Sequence, residues 1–159
     1  MLRIVLIAVG DLKEGYLREA CAEYEKRLGA FCRLEVVQIK ETGLPENPGE
    51  AEIASALDRE GEKILAAMPP RTYRIALCVE GKQLSSEELA EKLGDIGNRH
   101  GAVTLVIGSS HGLSPKVKEA CDMKLSVSRL TFPHRLMRVI LLETVYRSLS
   151  ILHGTKYHK

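Results

Sequence analysis

Gly108-Ser-Ser-His-Gly112 closes an apolar run, Ala102 to Ile107, with a turn that has a glycine at each end. A strand that stops at such a turn leaves peptide N–H and C=O groups free to grip a ligand, because glycine has no Cβ to hold the ligand off. A short way on, a second strand runs into Ser126 to Phe132. There T-F-P-H-R opens a long apolar helix, and Tyr157-His158-Lys159 follows it as a polar tail. Two strand ends so near in sequence predict one pocket lined by main chain.

Those segments also carry the charge. The chain has 159 residues and a net charge of +2, so it is no strongly basic nucleic-acid binder. Residues 116–159 hold nine Lys and Arg against three Asp and Glu, a local +6, while residues 1–115 hold fourteen against eighteen, a local −4. The asymmetry points to an anionic partner at the C-terminal end, and a merely solvated basic face explains it as well. Length and a hydrophobic content of 45% fit a single domain, residues 1–159, with a real core.

Several chemistries are excluded by pattern. After the first apolar run, Val9-Gly10-Asp11 lacks the G-x-G-x-x-G of dinucleotide binders, and no P-loop, H-E-x-x-H or G-x-S-x-G is present. The acids fall mostly on solvent faces, with no pair placed for hydrolysis. Cys21, Cys32, Cys78 and Cys121 show no metal-binding spacing and read as small core hydrophobes, reduced, in a cytoplasmic protein. No metal is expected. The opening L-R-I-V-L-I-A-V-G is too short for a secretory leader and runs at once into Asp11, Lys13 and Glu14, so it reads as a buried first strand. No stretch is long enough to span a membrane.

The elements that must position the pocket alternate along the chain. Apolar runs predict strands over residues 3–9, 34–39, 74–79, 102–107 and 124–127. Helical spacing predicts helices over 16–28, 50–68, 85–99, 114–121 and 133–152. Ser85 with Glu88 forms a capping box, Ser114-Pro115 is a cap with a first-turn proline, and residues 41–49 form a loop. This order predicts an α/β fold with a mostly parallel sheet and helices on both faces. Met137, Val139 to Leu142 and Val145 leave the last helix almost without a polar face, which predicts cover by a second copy in a twofold dimer. Glu143 and Arg147 stand i, i+4, as an ion pair or with Arg147 aimed at a phosphate.

I-G-S-S-H-G-L-S (107–114), L-S-V-S-R-L-T-F-P-H-R-L-M-R-V-I-L-L-E-T-V-Y-R-S (125–148) and the terminal Y-H-K closely resemble the RlmH family. So do G-D-L-K-E-G-Y, E-Y-E-K-R-L and R-E-G-E-K-I-L, in order along the whole chain. These are ribosomal RNA large-subunit methyltransferases of the SPOUT, or trefoil-knot, superfamily. The resemblance implies a C-terminal trefoil knot, a homodimer and S-adenosyl-L-methionine as methyl donor. It implies methylation of N3 of a pseudouridine in 23S rRNA within the ribosome.

Carried over by position, the cofactor contacts implied are Leu77, Gly108, Val127, Ser128, Arg129, Leu130, Thr131 and Phe132. Leu77 equally suits plain core, and Gly108 a simple strand end. The family's usual I-G-G becomes I-G-S here, so Ser109 is strained if that position needs a positive φ. His111 receives no catalytic role. His134 and His158 are the candidate proton acceptors for the imide N3, although a histidine at a helix start also serves as a cap or packing residue. Arg129, Arg135, Arg138 and Arg147 are candidate phosphate ligands, and Tyr157 a candidate base-stacking residue. So weak an overall field predicts poor binding of free RNA and a need for the assembled ribosome. Two other readings stand beside this one: a knot methyltransferase for another RNA such as tRNA, and a noncatalytic dimeric RNA-binding module.

Overall fold

The computed structural model describes residues 1–158; Lys159, counted above in the basic tail, lies outside the described residues. Ten elements alternate: β1 (Leu2–Val9), α1 (Gly15–Leu28), β2 (Cys32–Ile39), α2 (Glu50–Ala67) and β3 (Tyr73–Gln83), then α3 (Ser86–Arg99), β4 (Ala102–Ile107), α4 (Pro115–Glu119), β5 (Met123–Ser126) and α5 (His134–Leu152). The five strands form one all-parallel sheet in the order β2-β1-β4-β3-β5. This is the predicted α/β architecture.

Alternation along β1 explains the two layers. Ile4 and Leu6 face a core with Cys21 and Leu28 of α1, Leu93 of α3 and Leu141 of α5. Val5, Ile7 and Val9 face the other way, onto Ile64 of α2 and Val117 of α4. Successive strand residues point to opposite faces, so a sheet covered on both sides needs apolar residues at consecutive positions, as β1 has from Ile4 to Val9.

The capping residues act as their types predict. Ser85 Oγ accepts the Glu88 N–H at 3.1 Å, and Glu88 Oε2 accepts the Ser85 N–H at 2.7 Å. Ser114 Oγ accepts the Val117 N–H at the start of α4.

Several boundaries differ from the sequence expectation. β3 continues past Val79 to Gln83 because a register shift between Leu77 and Lys82 lets polar residues pair with β5. Gly81 permits it: a Cβ there would lie 2.7 Å from the Leu125 carbonyl carbon. β5 starts and ends one residue early, since Asp122 already exchanges hydrogen bonds with the Arg74 backbone and Met123 pairs with Ile75. Val127 therefore leaves the sheet and joins the loop beyond it. α4 stops at Glu119 rather than Cys121.

One further expectation is corrected. Cys21 and Cys32 are buried, but Cys78 and Cys121 are only partly so. The cover for α5 comes largely from α1 and α3 of the same chain, which join it in one core, so its apolar circumference does not by itself require a second copy. Among the described residues, no helix is long and apolar enough to cross a membrane.

Candidate functional site

A cavity of about 340 Å³ opens where β3, β4 and β5 end. Such strand ends are where open parallel sheets bind ligands. Its floor is the turn after β4. A Cβ at Gly108 would collide with the Gly112 carbonyl, so the turn closes this tightly only with glycine there. The Gly112 N–H donates to the Ser109 carbonyl at 2.9 Å. Ser109 does not carry a positive φ; Gly112 does, at 87°, and Arg71 is the only non-glycine residue in that region among the described residues. The I-G-S departure thus costs no backbone strain.

The opposite wall is the loop after β5. Its shape is set by its own serines: Ser126 Oγ donates to the Ser128 carbonyl, and the Leu130 N–H donates to Ser128 Oγ, both at 3.0 Å. Leu77 and Leu125 supply apolar surface from the strands, and Met137 from α5. Leu130 and Phe132 stand 73% and 36% exposed, large apolar groups held open to solvent at the rim. That is the wall a flat, partly apolar ligand needs.

His134, the first residue of α5, borders the cavity. Its Nε2 is buried, has no hydrogen-bond partner, and lies 3.8 Å from Glu41 Oε2. Burial pushes the imidazole pKa down, against the pull of Glu41, which favours the neutral ring. A neutral ring can accept a proton.

Of the residues carried over by resemblance, the cavity gathers Leu77, Gly108, Val127, Ser128, Leu130, Thr131 and Phe132, with His134 beside them. Arg129 is in the same loop and exposed, but it is not part of the lining. The other arginines are occupied. Arg135 Nε donates to the Asp11 carbonyl at 2.8 Å. Arg138, expected to meet phosphate, is 5% exposed and donates to the Gly10 carbonyl and Gln38 Oε1, so it is a structural residue in this fold. Arg147 pairs with Glu143 at 2.7 Å.

The two candidate histidines are not brought together within one chain. Thirteen residues of helix separate His134 from Arg147, about 20 Å at 1.5 Å per residue. His158 sits at the far end, Nδ1 3.3 Å from Arg147 and Nε2 2.9 Å from Glu87. Tyr157 donates its hydroxyl to Glu143 at 2.9 Å, and burial together with that carboxylate pushes its phenol pKa up to about 12.

Sequence reasoning missed Cys78, the Glu80–Lys118 ion pair at the rim, and the carboxylates Glu41 and Glu60. Glu60 had a signal: Ala56, Glu60 and Ile64 recur every four residues along α2, which places a carboxylate on a buried stripe.

A predicted SPOUT methyltransferase family matches residues 2–158, and the chain belongs to it. Family membership implies a methyl donor of the S-adenosylmethionine type. Within that class the chain is a member of the RlmH family. It is 46% identical to ribosomal RNA large subunit methyltransferase H of Streptococcus thermophilus over 99% of this chain and 100% of that one. The protein of the same name from Carboxydothermus hydrogenoformans is also 46% identical, with the same coverage. A probable methyltransferase from Bordetella pertussis Tohama I shares the fold alone, with a TM-score of 0.61 at 18% identity over 93% of this chain and 96% of that one.

Proposed function

We propose that this chain is an S-adenosyl-L-methionine-dependent methyltransferase that modifies N3 of a pseudouridine in 23S rRNA of the assembled ribosome. It would act in the cytoplasm as a homodimer, each chain a single domain with its C-terminal half knotted as a trefoil. One observation carries the reading: full-length similarity to enzymes named ribosomal RNA large subunit methyltransferase H coincides with a main-chain-lined cavity at the residues the resemblance singles out.

The residues present fit the donor. Leu77, Leu130 and Phe132 offer apolar faces to an adenine ring, and peptide groups of the 127–132 loop can meet its acceptors and amino group. His134 borders that cavity, with its Nε2 buried and unpartnered beside Glu41. When bound, S-adenosyl-L-methionine supplies an electrophilic methyl group on a sulfonium.

The chain's own residues then have three tasks. The 108–112 turn and the 127–132 loop fix orientation and exclude water. His134, favoured neutral, accepts the N3 proton. If that imide titrates roughly two units above neutral, having its anion ready costs about 2.7 kcal/mol, a size that one positioned base offsets. Exposed Arg129 meets phosphate beside the cavity, while Arg138 does not.

Exposed Leu130 and Phe132 at the mouth, and exposed Leu136 in the first turn of α5, support cover by a second subunit. In that dimer, Tyr157 and His158, about 20 Å from their own His134, serve the partner's site.

Radiolabelled methyl transfer to ribosomes from cells lacking the modification, with the product nucleoside identified by mass spectrometry, tests the reading. N3-methylpseudouridine in 23S rRNA is expected. Label confined to tRNA would replace the substrate, and no donor binding in calorimetry would leave an RNA-binding module.

A further inference from the structure

The chain turns back on itself after α5. Gly154 takes a φ of 70°, and the Thr155 N–H and hydroxyl both donate to the Ser150 carbonyl, at 2.9 and 3.2 Å. Tyr157 and His158 are thereby returned to the helix the chain has just left, and three side chains receive them. Glu143 Oε1 accepts from the Tyr157 hydroxyl at 2.9 Å and from Arg147 Nη2 at 2.7 Å. The Arg147 guanidinium lies 4.8 Å from the centre of the Tyr157 ring, which also meets the Tyr146 ring edge-on at 4.7 Å between centroids. Glu87, in the first turn of α3, completes the dock by bonding His158.

His158 is held from both sides. Its Nδ1 is 3.3 Å from Arg147 Nη1, and its Nε2 is 2.9 Å from Glu87 Oε1. A guanidinium can only donate, and an ionised carboxylate can only accept. The two contacts therefore assign the ring: Nδ1 offers its lone pair to Arg147, and the proton sits on Nε2. In that state neither nitrogen is open to a substrate proton. His134 differs, since its buried Nε2 has no hydrogen-bond partner. An exposed glutamate in a first helical turn also has a plainer use, as a charge set against the positive end of the helix. That use asks nothing of His158, and it requires the charge rather than an acceptor oxygen.

We infer that Glu87 and Arg147 are positioning residues for methyl transfer: from either side they fix the His158 ring with its proton on Nε2, so that the tail is a preformed scaffold and not the proton acceptor. This deepens the function proposed above and rests on it for the reaction. The tail is docked by its own chain, through Glu143 and Arg147 of α5 and Glu87 of α3. It is therefore ordered before substrate arrives, and the ordering entropy is not left to be met in the reaction step.

The test uses the full chain as wild type, Glu87→Ala, Glu87→Gln and His158→Asn. Nitrogen-15 NMR of the histidine rings in donor-free protein, with the His158 signals identified by their loss in His158→Asn, should show Nδ1 bare and Nε2 protonated at neutral pH. Amide hydrogen exchange at 155–158 should quicken about tenfold in Glu87→Ala. It should stay within about threefold of wild type in Glu87→Gln, whose amide oxygen still accepts from Nε2. In methyl transfer to ribosomes, kcat should fall about tenfold in Glu87→Ala and stay within about threefold in Glu87→Gln, while donor affinity in calorimetry holds in both. The acid limb of the kcat pH profile should stay where wild type has it.

A proton on Nδ1, wild-type exchange at 155–158 in Glu87→Ala, or equal losses in the Ala and Gln variants overturns the inference. So does an acid limb that moves in Glu87→Ala, because it would make His158 the group that titrates in the reaction. Wild type that transfers no methyl group to ribosomes sinks the proposed reaction instead; the ring spectra and the exchange, measured without substrate, still judge the tail.

Discussion

Arg138 Nη2 donates a 2.7 Å hydrogen bond to the Gly10 carbonyl, joining the second turn of α5 to the residue just after β1. Nη1 donates to Gln38 of β2 at 2.9 Å. One buried guanidinium thus satisfies two groups at the C-terminal edge of the sheet, next to His134.

Arg138→Met should cost about 2–3 kcal/mol in urea denaturation, because it strands the Gly10 carbonyl and the Gln38 amide. It should leave the salt dependence of ribosome binding unchanged. Arg129→Ala should do the reverse, lowering that salt slope by about one with little effect on stability.

His134 predicts a pH signature. Burial lowers its pKa in the folded protein, so the unfolded chain takes up a proton at about pH 6.5 while the native one resists. Its contribution to stability is therefore present above that pH and is lost as pH falls through the window down to the native pKa. His134→Gln should shrink the stability difference between about pH 7.5 and about pH 5.5 in thermal unfolding. The same variant should lower kcat about a hundredfold while donor affinity holds.

Gly81→Ala should destabilise by about 1–3 kcal/mol, since its Cβ would meet the Leu125 backbone at 2.7 Å and part β3 from β5. The damage should reach the 127–132 loop, weakening donor binding about tenfold or more. Gly43→Ala, with open space around its Cβ, should stay within about 0.5 kcal/mol of wild type by denaturation.

The position of the tail predicts complementation. His158→Ala and His134→Gln proteins should each be nearly inactive as homodimers. Mixed and re-equilibrated, they should regain roughly a quarter of wild-type methyl transfer, because half the dimers carry one complete site. No recovery would place tail and histidine in the same chain's site.

How much of this was legible depended on whether a residue's partner was near in sequence. β4 at Ala102–Ile107 and the Ser85–Glu88 box were readable because an apolar run bounded by glycines and a three-residue cap are local patterns. The polar stretch Glu80 to Gln83 was not, because it is a strand only through pairing with β5. Arg138 shares the buried stripe of Leu141, Leu142 and Val145, a signal visible in the spacing, yet its acceptor lies 128 positions away. The cavity was anticipated from two glycine and serine-rich strand ends; the approach of Glu41 to His134 and the Glu60–Thr42 hydrogen bond join segments no local pattern connects.

β5 is a four-residue edge strand, hydrogen-bonded to the sheet on one side only. The wall of the cavity therefore hangs from a short strand at the sheet's edge, where local opening needs only one ladder of hydrogen bonds to part. A molecule seated there works as a splint. At a hundred times its dissociation constant it adds about 2.7 kcal/mol to the folded state, so occupancy is written into how fast a protease nicks the 127–132 segment.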